Sequence, residues 1–319
     1  MSTEIGRAGA IGLGAMGLTG AYGHVSRAQA LAVLQRALSR GIRHIDTAAS
    51  YADGANERLI AEAIVGREDV FVATKCGVRW GAGRLMRDGS AEAIRDGAEQ
   101  SLRRLGRDTI DLLYLHRVDP ATPIERSVEA MVSLRNRGLV RHLGLSEASA
   151  DTIRRAAATG PIAALQSEYS LMSREIEHEI APTLTDLEVT LVAYAPLGRG
   201  LLGGAVSSPA DLGRGDFRRS VPRFFGENLE PNLRRAAALD HIACSRGITR
   251  AQVALAWLVG KPGVIAIPGT TRVEAVVENA AAASITLEPR ETRMLEDAFP
   301  PGSAHGARYP RTMLEGLEI

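Results

Sequence analysis

Gly12-Leu13-Gly14-Ala15-Met16-Gly17 fits the G-x-G-x-x-G pattern of a dinucleotide-binding turn, and how it is read decides the fold. In a doubly wound α/β sheet the helix opens at the third glycine, and an acidic residue closes the next strand about 20 residues on. Here the first helix signal is Ser26-Arg27-Ala28-Gln29, an N-cap with Gln at the third helical position, nine positions beyond Gly17. The next acidic strand end, Asp46, lies 29 positions beyond Gly17. The glycines therefore read as a close-approach loop on the first strand of a barrel.

The stretches on either side agree with that reading. Apolar, β-branched runs recur at about 8–13, 42–46, 70–75, 110–116, 140–146, 162–168, 189–194 and 264–267, with helical spacing between them. Eight strands alternating with helices, with no linker between halves, predict one (β/α)₈ TIM barrel over residues 1–319. A long loop at about 198–231 and an irregular tail from about 300 interrupt the pattern. Thr122-Pro123-Ile124-Glu125 and Thr271-Arg272-Val273-Glu274 read as capping boxes. A helix over roughly Glu175–Leu187 is expected to break or bend near Pro182, and another is expected over about Asn232–Arg246.

Composition narrows the function classes. Of 319 residues, 45% are apolar and 24% charged, with a formal net charge of +1, so the chain has a full core and no basic excess for nucleic acid or an anionic membrane. No apolar run reaches the roughly 20 residues of a membrane helix, and Met1 to Arg7 lack the blocks of a signal peptide. Cys76 and Cys244 are the only cysteines, and the histidines show no metal-ligand spacing. A cytoplasmic protein without metal, monomeric or homo-oligomeric, is expected. Lysine occurs only at Lys75 and Lys261 among 38 basic residues, so a lysine on a buried strand calls for its own reason.

A barrel places its chemistry at the carboxyl ends of its strands. Asp46, Lys75 and His116 close three consecutive strands, and Tyr51 sits in the loop after the first of them. Singly, each has an ordinary explanation: a loop cap, a snorkelling ammonium, a satisfied core histidine, a packed ring. Together they form a site. The Lys75 ammonium is expected to lower the Tyr51 phenol from its usual pKa of ~10, with Asp46 holding the ammonium and His116 orienting a substrate oxygen. That set offers a proton to a carbonyl but no nucleophile, so the missing reactant is a hydride from a cofactor. Cys76, beside Lys75, reads as a small buried filler.

Asp46-Thr47-Ala48…Tyr51, Ala73-Thr74-Lys75 and Leu113-Tyr114-Leu115-His116 resemble the catalytic tetrad of the aldo-keto reductases. Further motifs recur in order: Gly144-Leu145-Ser146-Glu147, Leu165-Gln166-Ser167-Glu168-Tyr169, Tyr194-Ala195-Pro196-Leu197-Gly198-Arg199-Gly200 and Ile267-Pro268-Gly269-Thr270. The stretch from Phe217 to Asn232 resembles the subgroup containing plant perakine reductase and similar bacterial and fungal reductases.

The resemblance implies an NADPH-dependent reduction of a small-molecule aldehyde or ketone, with Tyr51 as general acid assisted by Lys75, Asp46 and His116. It implies that Ser146 and Gln166 bind the nicotinamide carboxamide and that Tyr194 stacks on its ring. Gly14 and Met16 would approach from the first loop, Leu197 and Arg199 would line the pyrophosphate path, and Gly269, Thr271, Arg272, Glu278 and Asn279 would hold the adenosine end. Gly269 stands where some relatives carry a lysine, so preference for NADPH rests on Arg272, a fixed charge at a helix start. Tyr22, Trp80, the 198–231 arm and the tail near Tyr309 are substrate-facing candidates. Potassium-channel β subunits share this fold and tetrad, so a cofactor-sensing regulatory subunit is the alternative.

Overall fold

The computed structural model describes residues 4–81, 84–314 and 316–318. Eight parallel strands pair in chain order: β1 (Leu13–Gly14), β2 (His44–Asp46), β3 (Phe71–Cys76), β4 (Ile110–Leu115), β5 (Val140–Ser146), β6 (Ile162–Glu168), β7 (Thr190–Tyr194) and β8 (Val264–Ala266). The residues just before β1 close the ring. Ile11 bridges Ala266 in parallel, the Gly12 N–H donates to the Ala266 carbonyl at 2.8 Å, and the Ala266 N–H donates to the Ala10 carbonyl at 2.9 Å. The curled sheet is a (β/α)₈ barrel.

This seam explains two glycines of the opening stretch. A Cβ at Gly12 would lie 2.9 Å from the His44 carbonyl oxygen, and one at Gly14 would lie 2.7 Å from that of Ile267. Both neighbours are backbone and cannot swing aside, so only glycine lets β1 approach the two flanking strands.

The helices follow from their caps and apolar faces. Ser26 accepts from the Gln29 N–H and opens Arg27–Ser39, which buries Ala30, Val33, Leu34, Ala37 and Leu38. Ser90 opens Ala91–Leu105 in the same way, and Gly106 ends it at φ +63°. The two expected capping boxes do not form. Thr122 donates instead to Asp119 Oδ2 at 2.8 Å, while Glu125 pairs with Arg155 across the surface. Arg272, not Thr271, precedes the helix Val273–Ala281, and its N–H donates to Thr270 Oγ1 at 3.1 Å.

Other expectations shift as well. The Glu175–Leu187 stretch is a 3₁₀ turn, Glu175–Glu177, followed by the helix Ile180–Asp186. Pro182 lies in the first turn of that helix, where its missing N–H has no intrahelical partner to lose, so the break falls before it. The expected helix over Asn232–Arg246 is two, Leu229–Ala236 and Leu239–Arg246. The loop after β3 contains an antiparallel hairpin, Val78–Gly81 against Arg84–Arg87, whose Arg- and Gly-rich sequence carries no alternating apolar pattern.

Inside the barrel, Ile5 of the short helix Glu4–Arg7 plugs the floor against Ala73, Leu112, Ala164 and Ile265. His44 sits two residues before Asp46 on the same inward face, edge-on to Phe71. It is buried, both ring nitrogens lack a partner, and burial pulls its pKa down to about 4. At the mouth, five 3₁₀ turns between Gly198 and Asn228 bury Leu201, Val206, Leu212, Val221 and Phe224 in a small core of their own. No helix among the described residues is long and apolar enough to cross a membrane, and no group of three His, Cys, Asp or Glu among them could hold a metal ion.

Candidate active site

The β2–β3 register pairs Asp46 with Ala73, so Lys75 stands two residues further along the same inward face. Lys75 is 1% exposed. Its ammonium has three protons and three oxygens around it: Asp46 Oδ1 at 2.5 Å, the Thr47 carbonyl at 2.7 Å and, more loosely, Tyr51 Oη at 3.4 Å. An ammonium only donates, so the Tyr51 oxygen accepts there and its own proton is free to point elsewhere. The His116 ring lies edge-on to Tyr51 with centroids 6.0 Å apart, and its Nδ1 is 3.4 Å from Ser50 Oγ. The four predicted residues thus meet at one rim.

The expected lowering of the phenol pKa is not found. Burial raises the Tyr51 phenol well above the ordinary tyrosine range, Asp46 adds to the rise and Arg117 opposes it. Asp46 stands behind the ammonium, so the phenol faces a nearly neutral pair. Tyr51 therefore keeps its proton through neutral pH, as a donor must. Burial, with Arg117 and Lys75, drives His116 well below its usual pKa, so the imidazole is neutral and carries one N–H to offer. Burial also pushes the Cys76 thiol up to about 12, which suits a filler.

Sequence reading missed the side chains that hold this rim together. Thr47 Oγ1 donates to Asn56 Oδ1 at 2.7 Å, and Asn56 Nδ2 donates to the Ala15 carbonyl at 2.8 Å and to Thr19 Oγ1 at 3.0 Å. One buried amide thus ties the Tyr51 loop to the glycine loop. Behind Lys75, Glu57 accepts from Thr74 Oγ1 and Arg104 Nε. A signal was present: Asn56 lies three and four residues before Leu59 and Ile60, on the apolar face of its helix.

Ser146 and Gln166 are register partners at the ends of β5 and β6. Gln166 Nε2 donates to Asp46 Oδ2 at 2.7 Å, and a carboxylate only accepts, so Gln166 Oε1 is left as an acceptor. Ser146 Oγ accepts from Arg117 Nη1 at 3.0 Å, which leaves its proton to donate. One donor beside one acceptor fits a primary carboxamide, the group a nicotinamide carries.

Next to them, charge is matched in pairs. Arg308, from the tail, donates to both oxygens of Glu147 at 3.1 and 2.7 Å. Burial alone would raise the Glu147 carboxyl, but Arg308 and Arg117 hold it below the ordinary carboxylate range. Arg199 grips Glu168 at 3.0 and 2.7 Å, and its guanidinium lies 4.6 Å from the Tyr309 ring centroid. That placement puts both terminal nitrogens of Arg199 on Glu168; Leu197, before it, is half-buried. Tyr309 Oη lies 3.0 Å from Tyr194 Oη, so the tail reaches the ring expected to stack on nicotinamide. Tyr22 packs under Arg218, and burial pushes its phenol up to about 12. The Trp80 side chain lies outside the described residues; its backbone belongs to the hairpin after β3.

The adenosine-end candidates gather on the other side of the seam. Gly269 faces Gly14 across the closure, and Met16 opens the 3₁₀ turn Met16–Thr19. The Thr271 carbonyl accepts from Gln29 Nε2 at 2.8 Å. Arg272 is exposed at the helix start, Glu278 is half-buried and Asn279 is buried.

Residues 10–299 match the model of the aldo/keto reductase family. The chain belongs to that family. An aldo-keto reductase of Schizosaccharomyces pombe whose name carries NADP(+) is 40% identical over 310 residues, 94% of this chain and 91% of the relative. A probable aldo-keto reductase of Glycine max is 40% identical over 94% of this chain and 88% of its own length. Among solved structures, the glycerol dehydrogenase of Gluconobacter oxydans superposes with a TM-score of 0.84 at 28% identity, covering 92% of this chain and 93% of its own. A Klebsiella pneumoniae aldo/keto reductase in complex with NADP and acetate gives 0.73 at 31% identity, with 94% of each chain covered.

Proposed function

We propose that this aldo/keto reductase uses NADPH to reduce an aldehyde or ketone to an alcohol, the same chemistry run backwards oxidising the alcohol. When bound, the nicotinamide supplies a hydride to the carbonyl carbon. The observation that carries the reading is the saturated ammonium of Lys75. With its three protons directed to Asp46, Thr47 and Tyr51, it turns the phenol oxygen toward itself and leaves the phenol proton for a substrate oxygen. Tyr51 is the general acid, and the Lys75 ammonium, held in place by Asp46, faces the negative charge left on the phenol oxygen. Neutral His116 donates to the same substrate oxygen and orients it.

Ser146 and Gln166 read the carboxamide, and Tyr194 walls the ring. Gly14, Met16 and Leu197 line the path of the cofactor. Gly269, Thr271, Arg272, Glu278 and Asn279 take its adenosine end, with Arg272 supplying the charge for a 2′-phosphate. The name of the Schizosaccharomyces relative and the NADP- and NADPH-bound Klebsiella structures support this cofactor. A carbonyl panel followed by NADPH absorbance, with Tyr51→Phe as control, tests the reading. Turnover that largely survives Tyr51→Phe removes the acid assignment, and a silent panel with tight NADPH binding points to the sensing role.

A further inference from the structure

Arg117 directly follows His116, and no feature of the sequence drew attention to it. It is buried at the mouth, yet no carboxylate among the described residues lies within ion-pairing distance of it. A buried guanidinium normally takes a carboxylate partner, as Arg199 and Arg308 do here. Arg117 instead uses Nη1 twice, donating to the His116 carbonyl at 2.6 Å and to Ser146 Oγ at 3.0 Å.

The second contact has a chemical consequence. A guanidinium has no acceptor, so Ser146 must accept from it, and the serine hydroxyl has one proton left. Among the described residues that proton has no acceptor. Without Arg117 the hydroxyl could rotate and act as donor or acceptor alike. With it, Ser146 is a donor. Asp46 fixes the polarity of Gln166 in the complementary sense. We infer that Arg117 is a positioning residue that acts through Ser146, locking the serine hydroxyl as the donor to the carboxamide oxygen of the nicotinamide. The inference rests on the NADPH reading above.

The test is a binding cycle in the intact protein. Kd for NADPH is measured by fluorescence titration for the parent, Arg117→Met, Arg117→Lys, Ser146→Ala and the Arg117→Met/Ser146→Ala double variant. Thermal melts without cofactor check that each folds. One hydrogen bond corresponds to roughly a fivefold change in affinity. Arg117→Met and Ser146→Ala should each weaken binding by about that factor, the double variant by no more than either alone, and Arg117→Lys should recover part of the loss.

A second measurement uses the 3-acetylpyridine analogue of NADP⁺, which keeps the carbonyl but lacks the amide N–H₂. The Arg117→Met penalty should persist with it, because the Ser146 contact remains, while a Gln166→Leu penalty should shrink. Additive losses in the double variant, or an unchanged Kd in a folded Arg117→Met, overturn the assignment. A parent that binds no NADPH fails the cofactor reading itself and shows it before any variant is compared.

Discussion

The two halves of the barrel mouth bury charge in different ways. On the β2–β4 side a single lysine spreads its three protons over a carboxylate, a backbone carbonyl and a phenol. On the β5–β6 side the arginine forks of Arg308 and Arg199 each close on both oxygens of one glutamate. A bidentate pair satisfies itself and has nothing to pass on, so it suits a clamp between the barrel and its arm and tail. The lysine tripod includes one acceptor that is itself an acid. In a chain that favours arginine nearly everywhere, one of only two lysines stands on the rim where we propose that a proton moves.

The largest effect expected to test this contrast is Tyr51→Phe. It keeps the ring and removes the proton, so kcat should fall by roughly a hundred- to ten-thousandfold while NADPH affinity stays within about twofold. A loss below tenfold in stopped-flow reduction would mean that the two halves do not differ in kind. Next is Lys75→Met, which leaves Asp46 buried without its cation and should cost roughly 3–5 kcal/mol in urea unfolding. Lys75→Met with Asp46→Asn should regain part of that; no recovery would show that the carboxylate is not the source of the cost.

Acid sharpens the picture on the lysine side. His44 is held neutral with a pKa of about 4, below the ordinary 6.5, so the unfolded chain takes up its proton first. Stability is therefore full above pH 6.5 and falls by about 3 kcal/mol as the pH drops from there toward 4. His116, shifted the same way, acts in the same direction. His44→Leu should flatten urea midpoints measured between pH 7 and 4.5, and an unchanged slope would remove His44 from the account.

Smaller effects belong to the clamp and the rim. Arg308→Ala unpairs Glu147 at the tail, and because the tail can release locally the loss should stay below that of Lys75→Met. KM should rise more than kcat falls, and limited proteolysis should cut near residue 300 before the barrel. Cutting that is unaffected, or an equal loss of kcat, would make the pair more than a clamp. Smallest is Arg272→Ala, an exposed charge screened by salt. The ratio of kcat/KM for NADPH over NADH should fall by about fivefold, and equal use of both cofactors by the parent would remove the basis for it.

What could be read in the sequence was what is local. Asp46, Lys75 and His116 close apolar runs, and Tyr51 follows within five residues, so the lysine side was visible. The clamp was not, because Arg308 and Glu147 are 161 residues apart and no local pattern pairs them. Thr271 reads as a helix cap, yet the helix opens after Arg272 with no side-chain cap, a shift that only the turn of the backbone decides. The direction of the Tyr51 shift was misread for a related reason: residue types reveal neighbouring charges but not the depth at which a phenol lies. Arg117 stood in plain view after His116, yet as one arginine among many it carried no compositional signal.

The seam at Gly12 and Gly14 has a consequence for anyone wishing to redirect the cofactor preference of this protein. A mutant library aimed at the apparent fingerprint would place side chains against the carbonyls of His44 and Ile267, and most of its members would fail to close the ring. Diversity is better introduced around Arg272, where the chain is open to solvent and substitutions leave the seam untouched.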